Sequence, residues 1–213
     1  KETFATTGTR IAVRFFGGYN LSSIDLNSES LVSEAYQKGV TMGSDLLHNE
    51  NKIPEFLVWA QRDKNGAPLQ RIQIIKGWID NNSGRPKEKV FDVACSDGMQ
   101  PDPATNRCPD NGARVNINDC SISTNVGSSE LKTVWKDPEF APDDKTFYYV
   151  RVLENPTCRW STWDAIKAGY KPREGLHETI QERAWSSPIW YIPEQSDVEV
   201  VPLGGTIQLR NID

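Results

Sequence analysis

A mainly β fold, an antiparallel β-sandwich with one or two short helices and long disulfide-stapled loops, is predicted by three observations on this sequence. Period-two hydrophobic runs recur along it, while helical periodicity is scarce. Turn formers punctuate the runs, with 15 glycines and 13 prolines among 213 residues. The four cysteines sit in or beside loops rich in Asp, Asn, Pro and Gly, as disulfide cysteines of an oxidising compartment do.

Taken in order, the first strand falls within residues 1–20, and 11–213 reads as a single sandwich domain. Ile11-Ala-Val-Arg-Phe-Phe16 alternates before Gly17-Gly18, and Phe56-Leu-Val-Trp-Ala60 is apolar throughout, as a buried strand is. Gln70 to Lys76, Lys89 to Ala94, Val115 to Ile122, Leu131 to Trp135 and Phe147 to Leu153 continue the series, followed by Ala184 to Tyr191, Val198 to Val201 and Thr206 to Leu209. Asp63-Lys-Asn-Gly66 places Asn-Gly where a strand-joining turn needs positive backbone dihedrals, and Asn81 to Pro86 reads as a longer hairpin loop. Two short helices are expected, Ser30 to Lys38 ending at Gly39 and Trp160 to Lys167 ending at Gly169.

The net charge of −5 is spread along the chain, so no one-sided basic patch for a phosphate backbone is present and no nucleic-acid partner is expected. No apolar run approaches the ~20 residues that span a bilayer, so no membrane span is expected. Lys1 to Gly8 is neither a signal peptide nor a tag. The chain is therefore expected to start inside a longer gene product.

Cys95, Cys108, Cys120 and Cys158 contain no Cys-x-x-Cys pair and have no neighbouring histidine, which argues against zinc. Cys158, in Asn155-Pro-Thr-Cys-Arg-Trp-Ser-Thr-Trp163, lies beside Arg159, but no local signature supplies the base that a nucleophile requires. Two disulfides are expected. Of three possible pairings, the preferred one joins Cys108 to Cys120, closing the loop on itself, and Cys95 to Cys158, tying two strand ends.

Asp97, Asp102, Asp110, Asn116, Asn118 and Asp119 are of the right type for calcium, yet the regular ligand spacing is missing, so solvated turn carboxylates are expected. Asp45, His48 and Glu50 lack a second histidine. Glu178 and Glu182 would share a face of a helix, but the alternation with Ile180 indicates an extended connection. Arg183, before Ala184-Trp-Ser-Ser-Pro-Ile-Trp190, suits stacking and anion contact, or a structural pairing with a buried carboxylate. Trp78, Trp160, Trp163, Trp185 and Trp190 either line a carbohydrate or aromatic-ligand surface or pack the core.

Four strings carry a resemblance: Glu2-Thr-Phe-Ala-Thr-Thr-Gly-Thr-Arg-Ile11, Ala67-Pro-Leu-Gln-Arg-Ile-Gln-Ile-Ile-Lys-Gly-Trp78, Phe147-Tyr-Tyr-Val-Arg-Val-Leu-Glu-Asn-Pro156 and Gln181-Glu-Arg-Ala-Trp-Ser-Ser-Pro-Ile-Trp-Tyr191. From residue 1 to about 193 the chain resembles the bacterial domain-of-unknown-function family 3604, whose members look like PHP-type metal-dependent hydrolases. The resemblance implies a C-terminal β-sandwich, non-catalytic by itself, that completes or covers the site of a missing N-terminal half. No cofactor is implied in this chain; a divalent metal is implied in the N-terminal half, which is the expected partner. A homo-oligomer is left open, and the location implied is periplasmic or extracellular. The resemblance makes residues 1–20 a junction segment with the first strand and 11–213 a single C-terminal β-sandwich domain, with Thr6, Thr7 and Arg10 at the junction, and Arg183 as anion contact, as the candidate site residues. The alternative, from another class, is a secreted carbohydrate-binding or adhesive β-sandwich using the tryptophans.

Overall fold

The structure is a computed structural model that describes residues 1–50, 52–80, 83–194, 198–203 and 206–211. Its strands, in chain order, are β1 (Phe4–Thr6), β2 (Ala12–Gly18), β3 (Gly39–Thr41), β4 (Asp45–Leu47), β5 (Glu55–Gln61), β6 (Leu69–Ile79), β7 (Pro86–Cys95) and β8 (Glu130–Lys136). After them come β9 (Thr146–Glu154), β10 (Thr157–Cys158), β11 (Thr179–Ile180), β12 (Arg183–Ser186), β13 (Ile189–Ile192), β14 (Val198–Leu203) and β15 (Thr206–Asn211). The helices are α1 (Leu31–Lys38) and α2 (Trp160–Ala168), and a 3-10 turn spans Leu21–Ser23.

The alternating runs assemble into two sheets. A four-stranded sheet has the order β3-β2-β5-β8. In the seven-stranded sheet, β6 pairs β7 on one side and β9 on the other, and the far side of β9 takes β12 at Arg151 to Leu153 and β13 at Thr146 to Tyr148. β1 extends the sheet beyond β12, and β4 beyond β13. Pairing is antiparallel except for β4 with β13. β10 and β11 form a short two-stranded ladder, and β14 pairs with β15.

Each sheet contributes its apolar face to one core. Val13, Phe15, Phe56 and Val58 of the smaller sheet meet Ile72, Ile74, Tyr148, Val150 and Ile189 of the larger. Phe56 and Tyr148 have ring centroids 4.3 Å apart, and Phe91 and Trp135 5.0 Å. β5 is apolar on both faces because its other side is also covered: Leu57 and Phe16 pack with Leu31 and Ala35 of α1 and with Leu21. The result is three layers, α1, then four strands, then seven.

A buried polar network is set into this core. The Lys76 ammonium lies 2.6 Å from the Asp137 carboxylate, with both side chains at most 3% exposed, and donates to the Glu139 carbonyl at 2.7 Å. The Tyr148 hydroxyl donates to Asp137 at 2.7 Å. Burial, with Asp137 beside it, pushes the Tyr148 hydroxyl pKa up.

Several expectations need correction. Val115 to Ile122 is not a strand; only Val115 and Ile122 bridge. Asn116 and Asp119 accept hydrogen bonds from the amides of Asn118 and Ser121, two residues on, and Cys120 turns with φ 58°. Such side-chain acceptors compete with a ladder. Asp63 to Gly66 is not a hairpin with positive dihedrals. It is a turn closed by Gly66 N–H on Asp63 O at 3.1 Å, leading from β5 in one sheet to β6 in the other. Glycine is required there for a different reason: a Cβ on Gly66 would lie 2.8 Å from a Glu154 carboxylate oxygen. The run Ala184 to Tyr191 is two strands, because Pro188 has no N–H to offer the ladder and Ser187 donates instead to Thr3 O. Asn81 to Pro86 does connect a hairpin, β6 with β7, although its first two residues lie outside the described ones.

Both helices form where expected. α2 ends in a left-handed Gly169 (φ 74°), whose amide bonds back to Ala165 and Ile166. α1 instead stops at an extended Gly39 that opens β3 directly.

Two disulfides are present, but the pairing differs from the expected one. Cys95 joins Cys108, and Cys120 joins Cys158. The loop after β7 folds back on that strand, with Asp92 N–H donating to Asn106 O and Cys108 N–H to the Asp92 carboxylate at 2.7 Å. That brings Cys108 to Cys95 and leaves Cys120 for the end of β10. Cα separations of 5.6 and 5.5 Å suit both bonds.

Candidate functional site

A cleft of about 460 Å³ opens where β11, β12, the N-terminus of α2 and the loop around Arg114 meet. Its walls include Arg114, Arg159, Arg183, His177, Gln70 and Gln181.

The backbone fixes each arginine. Arg159 caps α2 in an extended conformation; its amide donates to Glu178 O at 2.9 Å, and its carbonyl accepts from Thr162 and Trp163. Arg183 begins β12, held by Thr7, whose amide donates to Arg183 O at 3.0 Å and whose hydroxyl accepts from Arg183 N–H at 2.9 Å. The Arg183 Nε donates to Gln181 O at 3.2 Å, and the guanidinium carbon lies 5.9 Å from the Trp185 ring centroid. The stacking expected of an arginine beside an aromatic is therefore present.

The charges divide cleanly. Arg114 pairs with Asp110 at 2.8 Å, a hydrogen bond that raises the arginine pKa and holds the Asp110 carboxyl below its usual range. Among the described residues neither Arg159 nor Arg183 forms an ion pair with a carboxylate. Beneath them, the Gln181 side-chain amide donates to the Gln70 side-chain oxygen at 2.9 Å and to Glu154 O at 3.1 Å. Two guanidinium groups on a fixed backbone, over a floor of amides, suit recognition of a tetrahedral oxyanion.

Of the four candidate residues, only Arg183 lines this cleft. Thr6 lies in β1 opposite Ala184, and Thr7 spends its hydroxyl on Arg183's backbone. Arg10 is elsewhere, with its amide on Asp63 at 2.8 Å. Sequence reasoning did not place Arg114, Arg159 and His177 in the site. Only Arg159 carried a readable signal, at the cap position immediately before a helix.

The other clusters resolve as local structure. Asp102, Asp110 and Asp119 accept amides two residues ahead, of Ala104, Gly112 and Ser121, and Asp97 accepts Gly127 N–H. His48 Nδ1 lies 2.8 Å from the Tyr191 hydroxyl, which donates to Pro142 O. Glu178 and Glu182 stand on the extended segment around β11. Of the seven tryptophans, Trp59 and Trp135 pack against the core, and the five singled out above neither gather on one face nor fill its interior. Trp160 and Trp163 are exposed on α2, Trp185 stacks with Arg183, and Trp78 and Trp190 line an apolar groove of about 500 Å³ with Phe147 and Ile79. Gly77 makes that groove, since any Cβ there would collide with the Phe147 ring.

Among the described residues no group of three or more His, Cys, Asp or Glu is placed to hold a metal ion, and no helix is long and apolar enough to cross a membrane.

These features define a mainly β, sandwich-like protein stapled by two disulfides. The chain belongs to the family described as "Protein of unknown function (DUF3604)", whose model matches residues 1–193. No curated protein and no solved structure matches it.

Proposed function

We infer that this chain is the C-terminal β-sandwich of an exported, PHP-like metal-dependent hydrolase, non-catalytic by itself, which completes the site of an N-terminal half. Its contribution there is to hold the anionic part of a phosphate- or sulfate-ester substrate. The observation that carries this reading is the convergence of Arg159 and Arg183 on one cleft with no carboxylate partner of their own. Guanidinium forks anchored through a held backbone are suited to bind and orient an oxyanion.

A divalent metal in the N-terminal half would supply Lewis-acid activation of water. The described residues of this chain do not fit such a metal, because no group of three or more His, Cys, Asp or Glu comes together among them, Asp102, Asp110 and Asp119 are engaged in turns, and the two histidines line separate cavities. The two disulfides support a periplasmic or extracellular location.

Titration with inorganic phosphate and with sulfate, followed by amide NMR, tests the reading. Shifts should map to Arg159, Gln181 and Arg183, and the double variant Arg159→Gln/Arg183→Gln should weaken binding at least tenfold. Equal affinity in that variant defeats the proposal.

A second reading, a secreted carbohydrate-binding module, is favoured by one observation, the groove of Trp78, Phe147 and Trp190. Quenching of tryptophan fluorescence by oligosaccharides, abolished in Trp190→Ala, would support it over the first.

A further inference from the structure

On the other side of the segment that carries Arg183 lies a chamber of about 560 Å³, walled by Gly66, Thr9, the Cys120–Cys158 disulfide, Trp163, Glu154 and Glu182. Glu154, the last residue of β9, is fully buried, and neither of its carboxylate oxygens makes a hydrogen bond. One oxygen of Glu182 and the hydroxyl of Thr9, also buried, are without a hydrogen-bond partner as well. The three residues that carry these four acceptor atoms line one cavity, and two of the atoms belong to a carboxylate at 0% exposure. A buried polar atom left unpaired costs about 1–3 kcal/mol, more when charged, so such a set calls for donors from within the cavity, from water or from a ligand.

We propose that this chamber is a binding site for an organic primary ammonium group, held by Glu154, Glu182 and Thr9 against the Trp163 indole. The chemistry selects the ligand. The site offers acceptors and negative charge but no donor surplus, so an anion is excluded. A hard metal cation takes six to eight oxygens in the case of calcium, and the described residues provide no such ligand group. An ammonium needs three acceptors, which the carboxylates and the hydroxyl supply. Aromatic walls favour organic cations, and the same indole already attracts the Lys167 ammonium, 5.4 Å from its centroid.

Two further observations agree. Gly66 is the residue that leaves room for the carboxylate, since a Cβ there would stand 2.8 Å from it. Burial raises the Glu154 pKa to about 7, despite the Ala67 amide and Thr9 hydroxyl, which draw it down without reaching hydrogen-bond geometry; the charges of Asp63 and Glu182 push it further up. A bound cation would reverse that balance.

The proposal is independent of the hydrolase reading, because it concerns a different cavity and ligands of opposite charge. It is tested by titrating the 213-residue chain with putrescine and with glucosamine while following the Trp163 indole resonance. Saturable shifts are expected for at least one of them, with affinity at least tenfold weaker in Glu154→Gln. Glu182→Gln, at a less buried position, should weaken binding too and guards against a folding defect in the first variant. Absence of shifts at 10 mM amine would mean that the chamber holds only water, and would overturn the assignment. Calcium binding tenfold tighter than either amine would also overturn it, in favour of a metal site.

Discussion

Asp137 and Glu154 are both buried carboxylates of the same sandwich, and the structure treats them in opposite ways. Asp137 meets the Lys76 ammonium at 2.6 Å, the Tyr148 hydroxyl at 2.7 Å and the Glu139 amide at 2.9 Å. Glu154 meets no hydrogen-bond partner. The first is a finished network that fixes the segment after β8 onto β6 and β9. The second stands at a cavity bordered by other unpaired acceptors. Burial alone therefore does not identify a functional acid; what distinguishes the two is whether the fold has completed their hydrogen bonds.

Breaking the finished network should have the largest effect. Lys76→Met leaves Asp137 charged and unpaired inside the core and should cost about 3–5 kcal/mol of stability, measured by urea unfolding. The double variant Lys76→Met/Asp137→Leu should recover most of that loss. A cost below about 1 kcal/mol for the single variant would show that the pair is hydrated.

Opening the chamber comes next. Cys120→Ser/Cys158→Ser removes one of its walls and a crosslink between residues 38 apart in sequence, and should cost about 4 kcal/mol. Thermal unfolding of this double variant should also show stability less dependent on pH than the parent, as water reaches Glu154.

The smallest effect, and the sharpest, concerns the orphan acid itself. Its folded-state pKa of about 7 stands above the ordinary 4.5, so between those values the folded chain binds more protons than the unfolded one. This contribution is fully present below pH 4.5 and is lost as pH rises through 7. Allowing for solvent at the cavity mouth, the loss should be about 2 kcal/mol between pH 5 and 8. Glu154→Gln should abolish that slope and unfold at a higher temperature than the parent at pH 8. An unchanged slope would show that the acid is already ionised at neutral pH.

The fold was legible wherever a strand has one face on the core. β2, β5, β6, β8 and β9 announce themselves by alternation or by continuous apolarity, and each forms. The errors fall where side chains compete with backbone. Asn116 and Asp119 turned an alternating run into a loop, and Pro188 cut one run into two strands. The disulfide pairing was not readable because it depends on which loop folds back onto β7, a choice made by the Asp92 carboxylate. The site was legible only through Arg183. Arg159 and Arg114 reach the cleft by tertiary placement, 24 and 69 positions earlier in the chain. Glu154 gave no signal, since it continues the pattern of β9 and differs from its neighbours only in what it lacks.

The bond between Cys120 and Cys158 closes a covalent ring that contains β8 from one sheet and β9 from the other. A protease that nicks the surface loop near residues 138–145 would therefore release nothing. The two pieces would migrate as one species without reductant and as two with it, so the molecule tolerates a cut between its layers without coming apart.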